Sequence, residues 1–179
     1  FKVPQAEQAA APTIQVKSGP AVEQFTFDAK NIRIAVAGAQ RRVGTTVTAV
    51  NFAHWIQAHG GTACYVESNM HKHLAYIVKL YGEAPDGNHY GMCGVVYDFT
   101  DELARGYNFI ITDCGELGTE PQATFTGAGV RLLCGSAMPY ELPKLQDAVG
   151  RCAGRATQAV GVGVPQDIQP LLESIDEGM

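Results

Sequence analysis

The stretch AGAQRRVGTTVTAV, residues 37–50, has the outline of a phosphate-binding loop. An apolar strand, IRIAVA, runs into a short loop that contains a glycine and two threonines, and a helix-like pattern follows directly. A loop of this kind holds phosphates with glycine-rich backbone N–H groups, a lysine and a Ser or Thr hydroxyl that ligates Mg²⁺. Here Arg41 and Arg42 stand where glycines are needed, and no lysine follows Gly44. The loop therefore has the threonines of a phosphate site without its lysine.

Alternating strand and helix patterns predict the elements that position this loop. Short apolar runs typical of buried strands occupy 32–38, 62–67, 93–99, 107–115, 130–135 and 157–164. Apolar residues at helical spacing lie between them, as in Ala49, Phe52, Ala53 and Ile56, in Leu74, Ile77, Val78 and Tyr81, and in Leu142, Leu145, Val149 and Cys152. Residues 83–91 are expected to form a loop. The alternation predicts an α/β fold, a mainly parallel sheet with helices on both faces.

Binding sites in such folds lie at the carboxyl ends of the strands. The loop after Ala37 and Asp113, which ends the most apolar strand, both fall on that edge. We expect strands 32–37 and 108–113 to be adjacent, because that places the loop beside the aspartate.

Composition limits the classes of function. The chain has 179 residues, of which 46% are hydrophobic and 17% charged, as in one ordinary globular domain. A net charge of -5 gives no general drive toward nucleic acid. No apolar run approaches the roughly 18 residues that span a bilayer, so direct membrane insertion of this segment is not expected. Residues 1–30, rich in Ala, Gln and Pro, are interpreted as a linker or N-terminal arm, and 31–179 as the domain.

Other residues that could carry chemistry give weaker signals. The five cysteines are widely spaced without a C-x-x-C pair, which favours reduced cysteines in the cytoplasm. His71 and His73 are two residues apart and cannot share a helix face, so they do not predict a metal pair, and His54 and His59 are expected to be exposed. No G-x-S-x-G or G-x-G-x-x-G motif is present.

The order of these segments resembles the deviant P-loop ATPases of the MinD/ParA type, and more narrowly the CpaE/TadZ-like proteins that position pilus secretion machinery. The resemblance covers about residues 31–165. The matching segments are IAVAGAQRRVGTTVTAVNFA, YVESN, YNFIITDCG and RLLCGSAMPYELPKL. The family loop reads approximately KGGVGKTT, and in CpaE/TadZ-like members the lysine after the last glycine can be replaced, as in the VGTT of this chain.

The loop departs from the family at every position that closes around a phosphate. Ala39 stands at the first glycine of the family loop, Gln40 at its signature lysine, Arg41 and Arg42 at the two flanking glycines, and Thr45 at the later lysine. Val43, Gly44 and Thr46 keep the family residue types. The resemblance therefore implies a vestigial nucleotide site at 40–46, in which the arginines either fill the phosphate space, paired with Asp113, Glu67 or Glu116, or point outward.

Two acidic residues match family positions of catalytic importance. Asp113 resembles the acid that contacts Mg²⁺ through water, so Thr46 and Asp113 would form the metal site if a Mg-nucleotide binds. Glu67 resembles the acid placed around the attacking water. Each has a plain alternative, since Asp113 can cap the turn that follows it and Glu67 can bond loop amides.

The resemblance and its departures lead to two hypotheses of function. In the first, the chain is a non-hydrolysing scaffold or positioning module of a membrane-associated machine such as a pilus secretion system, and needs no cofactor. In the second, it is a weak ATP-binding switch or ATPase that uses ATP and Mg²⁺ and dimerises with nucleotide. The first implies protein partners, or a homodimer, and a cytoplasmic location with recruitment to the membrane by partners.

Overall fold

The computed structural model describes residues 22–81, 89–98, 105–119 and 122–164. Within these ranges the strands are β1 (Ile32–Gly38), β2 (Ala63–Glu67), β3 (His89–Met92), β4 (Val95–Asp98), β5 (Phe109–Glu116), β6 (Val130–Gly135) and β7 (Gln158–Gly161). The helices are α1 (Thr45–Ala58), α2 (His73–Tyr81), α3 (Ala123–Thr126) and α4 (Leu142–Arg151).

The strands form one sheet in the order β3-β4-β2-β5-β1-β6-β7. All neighbouring pairs are parallel except β3 and β4. β1 lies between β5 and β6, and Val36 is opposite Asp113 in the register. The predicted adjacency of strands 32–37 and 108–113 is confirmed, and the glycine loop therefore begins beside the end of β5.

Helices cover both faces of the sheet, as the sequence pattern predicted. Val36 of β1 packs with Ala49, Ala53 and Ile56 of α1, in a core that also contains Leu74 of α2. Its neighbours Ala35 and Ala37 point to the opposite face, where they pack with Phe125 of α3 and Leu145 of α4. Successive residues of a strand point to opposite faces, so the apolar run of β1 serves two cores. The small alanines let the helices approach the middle of the sheet.

Two elements were not predicted. Residues 89–91, expected to lie in a loop, belong to β3, which pairs with β4 through a turn at Cys93 and Gly94. Both turn residues have positive φ, 49° and 80°, as a tight two-residue hairpin requires. Residues 83–88 of the expected loop lie outside the described residues. The other element, α3, has only 4 residues, too few for a helical repeat to show in the sequence.

Residues 22–30 contact the domain at the end of the sheet remote from the loop. The Phe25 N–H donates to the carbonyl of His59, the residue that follows α1, at 2.9 Å. Phe27 packs edge-on against Phe109, with ring centroids 5.2 Å apart. Because residues 1–21 lie outside the described part of the chain, the division into an arm and a domain at residue 30 stays a prediction.

Candidate functional site

The loop between β1 and α1 joins the carboxyl end of a parallel strand to the amino end of a helix, as a phosphate-binding loop does, although most glycines of such a loop are absent. Gly38 ends β1, and a Cβ there would lie 2.9 Å from Val43 Cγ1 and 3.0 Å from the Gln40 carbonyl, so this glycine is required by close packing. Gly44 is the N-cap of α1 with φ 95°, a left-handed conformation that favours glycine. A Cβ on Gly44 would also meet Val162 at 2.9 Å. Two glycines therefore fix both ends of the loop.

Arg42 adopts a glycine-like backbone conformation. Its φ is 62°, in the left-handed region, where a non-glycine residue costs roughly 1–2 kcal/mol. The chain nevertheless takes it, so the loop keeps its path at the expense of local strain.

The loop forms one wall of an open cleft of about 410 Å³. The opposite wall comes from the segment between β2 and α2 and from the end of β5. The cleft is lined by Gln40, Arg41, Arg42, Gly44, Thr45, Thr46, Val47, His71, His73, Gly115 and Glu116. The structure thus brings together six of the seven predicted loop residues, since Val43 is buried in the core instead.

The arginines of the loop do not seal the cleft. Both Arg41 and Arg42 are exposed, and in the described part of the chain neither forms an ion pair with a carboxylate. The expected alternative in which they pair with Asp113, Glu67 or Glu116 is therefore not the one adopted. Their guanidinium groups remain on the rim of an open cleft.

Asp113 is fully buried and its carboxylate is held by protein donors. The Tyr65 hydroxyl donates to Oδ2 at 2.9 Å, and the Gly115 N–H donates to Oδ1 at 2.9 Å. Burial, followed by the charge of Asp113, raises the pKa of Tyr65 far above its ordinary value, so the phenol remains a donor. The bond to Gly115 is the turn-capping role that the sequence left open, and Asp113 does not line the cleft.

Glu67 is bound to the amino end of α2. Its Oε1 accepts from the His73 N–H at 2.7 Å and its Oε2 from the Leu74 N–H at 3.1 Å. A carboxylate in this position satisfies first-turn amides and interacts favourably with the helix dipole. This is the amide-bonding alternative that the sequence left open for Glu67, and it occupies both carboxylate oxygens.

The segment between β2 and α2 carries two histidines into the cleft. His71 N–H donates to Asn69 Oδ1 at 2.9 Å, and the rings of His71 and His73 stack with centroids 5.3 Å apart. His73 Nδ1 lies 3.3 Å from the Thr46 hydroxyl across the cleft. The spacing argument treated both histidines as helical, whereas His71 precedes the helix, and this is why their rings meet. The described residues contain no group of three or more side chains that could hold a metal ion.

Gln40, which aligns with the signature lysine, turns to the loop between β6 and α4. Hydrogen bonds from Ser136 and then from Gln40 lower the pKa of Glu141 below its ordinary value. Gln40 is therefore engaged with a carboxylate of its own chain. Exposed apolar residues of the same loop, Met138 and Tyr140, lie next to this carboxylate in the sequence.

The segment that follows β5 is fixed from both sides. Leu117 N–H donates to the Gly38 carbonyl at 2.7 Å, which ties the segment to β1. From α4, Arg151 Nη1 donates to the carbonyls of Leu117 and Gly118. These bonds hold Leu117 and Gly118 at the end of β5, beside the cleft.

Cysteines and the remaining histidines serve the fold. All five cysteines are free, and four of them are buried. His54 is half-buried instead of exposed, since its Nε2 lies 2.8 Å from the Tyr97 hydroxyl, and burial lowers its pKa. No helix in the described part of the chain is both long and apolar enough to cross a bilayer.

Comparison with solved structures confirms the fold. The chain is similar to a nucleotide-binding protein from Archaeoglobus fulgidus, solved in complex with ADP, with a TM-score of 0.51 and 11% sequence identity. The alignment covers 83% of this chain and 89% of that chain. No protein-family model matches the sequence. No curated protein matches it either. At this identity the likeness establishes the α/β fold with its mostly parallel sheet.

Sequence reasoning missed Tyr65, which donates to Asp113, and Arg151, which holds the segment after β5. Tyr65 lies in the middle of an apolar strand, where its ring looked like ordinary core, and Arg151 lies on a helix remote in sequence from β5. The signal for Tyr65 was its position on a strand expected to be buried, because a buried phenol hydroxyl needs a hydrogen-bond partner.

Proposed function

We propose that this chain is a non-hydrolysing relative of the MinD/ParA-type ATPases, most like the CpaE/TadZ proteins. It acts as a protein-binding scaffold or positioning module of a membrane-associated machine such as a pilus secretion system. The observation that carries this proposal is the engagement of both candidate catalytic acids by protein donors. Asp113 is bound by Tyr65 and Gly115, and Glu67 by the first amides of α2. Neither carboxylate lines the cleft that contains Thr46.

The fixed segment after β5 supports the same proposal. A nucleotide-driven switch needs a segment with two arrangements of similar free energy. Here the Leu117 N–H donates to the Gly38 carbonyl, and Arg151 donates to the carbonyls of Leu117 and Gly118. A segment held by bonds within the chain suits a scaffold.

The exposed apolar residues around the cleft edge offer contact area for a protein partner. Met70 is 94% exposed and Tyr140 is 76% exposed, and Val47 and Met138 are exposed as well. Tyr and Met are enriched in protein interfaces. We place the partner-binding surface at this edge of the sheet.

Weak nucleotide binding is the second candidate function. The open cleft of about 410 Å³, with Thr45 and Thr46 at the start of α1 and two exposed arginines on its rim, favours it. A helix N-terminus attracts phosphate, and arginine binds phosphate in a bidentate manner. This candidate requires that the chain bind ATP, as a weak switch or ATPase.

Two measurements on the unmodified protein separate these functions. We expect no release of phosphate from Mg-ATP above the buffer rate, and the same sedimentation profile with and without Mg-ATP. A monomer-to-dimer shift on addition of ATP would contradict the scaffold and establish the switch. Isothermal titration with Mg-ATP then tests binding, and a sub-millimolar affinity that is lost in Thr46→Ala would favour the second candidate.

A further inference from the structure

The cleft beside the loop is lined mainly by basic side chains, whereas a magnesium-nucleotide site needs carboxylates near the metal. Arg41 and Arg42 line one wall, and His71 and His73 line the other. Among its described lining residues the only carboxylate is Glu116. The chain as a whole carries a net charge of -5, so this concentration of cationic and N–H donor groups is local.

The groups that would hold Mg²⁺ are withdrawn from the cleft. Mg²⁺ is bound through oxygen ligands, usually one or two carboxylates together with substrate phosphates. Asp113 is buried, accepts a hydrogen bond from Tyr65 and does not line the cleft. The Thr46 hydroxyl, the remaining oxygen of the predicted metal site, faces His73 Nδ1 at 3.3 Å. An imidazole therefore stands beside the threonine that a magnesium ion would use.

Donors from both walls converge on the same space. Thr45, Thr46 and Val47 form the first turn of α1, a helix of 14 residues whose amino end receives no side-chain cap. The first-turn amides of an uncapped helix are available to an anion. Opposite them, His73 is fixed at the start of α2 through its own backbone N–H, which Glu67 accepts at 2.7 Å. The imidazole position thus depends on a main-chain bond and does not need a ligand.

We propose that the cleft binds a phosphate-class anion without a metal ion, with His73 beside Thr46 in the role that Mg²⁺ has in a magnesium-dependent site. The anion is inorganic pyrophosphate or the diphosphate of a nucleotide. Arg41 and Arg42 supply the neutralising charge, while His73 and the α1 amides orient the anion. This inference rests on the second candidate function, since it gives the ligand class of the same cleft.

Titration calorimetry with two probes tests the metal independence. Inorganic pyrophosphate and ADP are each titrated in EDTA and then in excess MgCl₂. We expect binding in EDTA that is at least as tight as in MgCl₂, because magnesium neutralises the anion before the arginines can. Tighter binding of ADP than of pyrophosphate identifies a nucleotide as the source of the phosphates, and equal binding identifies the free anion. Binding that appears only with MgCl₂, or no binding at millimolar concentration of both probes, would overturn the proposal.

Variants connect the binding to the named side chains. We expect His73→Ala and the pair Arg41→Ala with Arg42→Ala each to weaken pyrophosphate binding about tenfold, as hydrogen bonds to charged groups do. His73→Ala keeps the main-chain bond to Glu67, so its circular dichroism should match that of the parent. Lys79→Ala, which removes a charge from the far end of α2, is the matched control and should bind normally. Equal affinity in all variants would mean an adventitious ion only and would refute the assignment.

Failure of this proposal can be told apart from failure of the scaffold. Phosphate release from ATP would contradict the scaffold whatever the anion affinity is. Absence of anion binding would remove the metal-free site and leave the scaffold unaffected.

Discussion

The Tyr65 hydroxyl donates a 2.9 Å hydrogen bond to Asp113 Oδ2 in the interior, where neither side chain is exposed to solvent. Removal of the Tyr65 hydroxyl leaves Asp113 Oδ2 buried without this hydrogen bond, at a cost of about 1–3 kcal/mol. We therefore expect Tyr65→Phe to lower the free energy of unfolding by that amount, as measured by urea denaturation. Tyr140→Phe, at an exposed tyrosine, is the control and should unfold like the parent. An unchanged midpoint for Tyr65→Phe would mean that Asp113 does not depend on this bond.

Arg42 and Arg41 allow a matched test of loop strain. Arg42 has φ 62° and Arg41 is not in the left-handed region. Relief of strain of roughly 1–2 kcal/mol should exceed the entropic cost of glycine, so we expect Arg42→Gly to stabilise the protein by about 0.5–1 kcal/mol. Arg41→Gly incurs only the entropic cost and should destabilise it by about 0.4–1 kcal/mol. Each of the two substitutions removes one positive charge from the cleft. The idea of strain at residue 42 fails if the two variants change stability in the same direction and by the same amount.

Arg151 is expected to control the order of the segment after β5. Its guanidinium donates to the carbonyls of Leu117 and Gly118, and it also contacts Asp147 at 3.4 Å. In Arg151→Ala both carbonyls lose a charged donor, so the Leu117 amide, which is bonded to Gly38, should exchange with deuterium at least tenfold faster. Hydrogen exchange followed by mass spectrometry or NMR gives this rate. Arg155→Ala, at an exposed arginine, should leave the rate unchanged, and an unchanged rate in Arg151→Ala as well would show that β1 alone holds the segment.

Thiol reactivity reports the packing of the core. Cys93 is exposed at the hairpin turn, whereas Cys64, Cys114, Cys134 and Cys152 are buried. Burial, followed by the charge of Asp113, raises the pKa of Cys114 to about 12, and the thiolate is the reactive form. At pH 8 we expect a disulfide reagent to label one thiol rapidly in the native protein and five in denaturant. Loss of the rapid phase in Cys93→Ser would confirm the assignment, while rapid native labelling of several thiols would show an open core.

Much of this fold could be predicted because its strands are buried on both faces. Runs such as IAVA in β1 and FII in β5 are continuously apolar, and the intervening helical repeats leave few alternatives to a parallel sheet. The hairpin of β3 and β4 was only half predicted, since HYGM at 89–92 has neither an apolar run nor alternation. The adjacency of β1 and β5 followed from the expected position of the site at the carboxyl ends of the strands.

The site could be predicted as a place but not as an arrangement of side chains. Sequence spacing located the loop and both acids at one sheet edge. It could not show that Tyr65 would donate a hydrogen bond to Asp113, or that the N–H groups of His73 and Leu74 would donate to Glu67. Nor could it show that Arg42 would adopt a backbone conformation typical of glycine. Each of these depends on contacts between residues that are distant in sequence or on a single backbone angle. The histidines were discounted by a helical argument that does not apply to a residue just before a helix.

Restoration of the family loop tests whether loop chemistry alone was lost. The changes are Ala39→Gly, Gln40→Lys, Arg41→Gly, Arg42→Gly and Thr45→Lys. They return the flexible backbone and the two lysines that neutralise phosphates in the resembling family, while Gly38, Gly44 and Thr46 stay in place. We expect this variant to bind Mg-ATP in calorimetry with an affinity at least tenfold above that of the parent, since one charged hydrogen bond alone supplies about that factor.

A control variant and the contrary result test whether residues outside the restored positions also decide ATP binding. Adding Thr46→Ala to the restored loop should abolish the gain, because the hydroxyl then required by Mg²⁺ is missing. Hydrolysis should remain absent even when ATP binds, as long as Asp113 is held by Tyr65 and Glu67 by the amides of α2. A restored variant that folds normally and still ignores ATP would place the loss outside the loop. Val162 is a candidate, because its Cγ1 lies 2.9 Å from where a Cβ on Gly44 would stand, and a narrow approach there would exclude the nucleotide whatever the loop sequence.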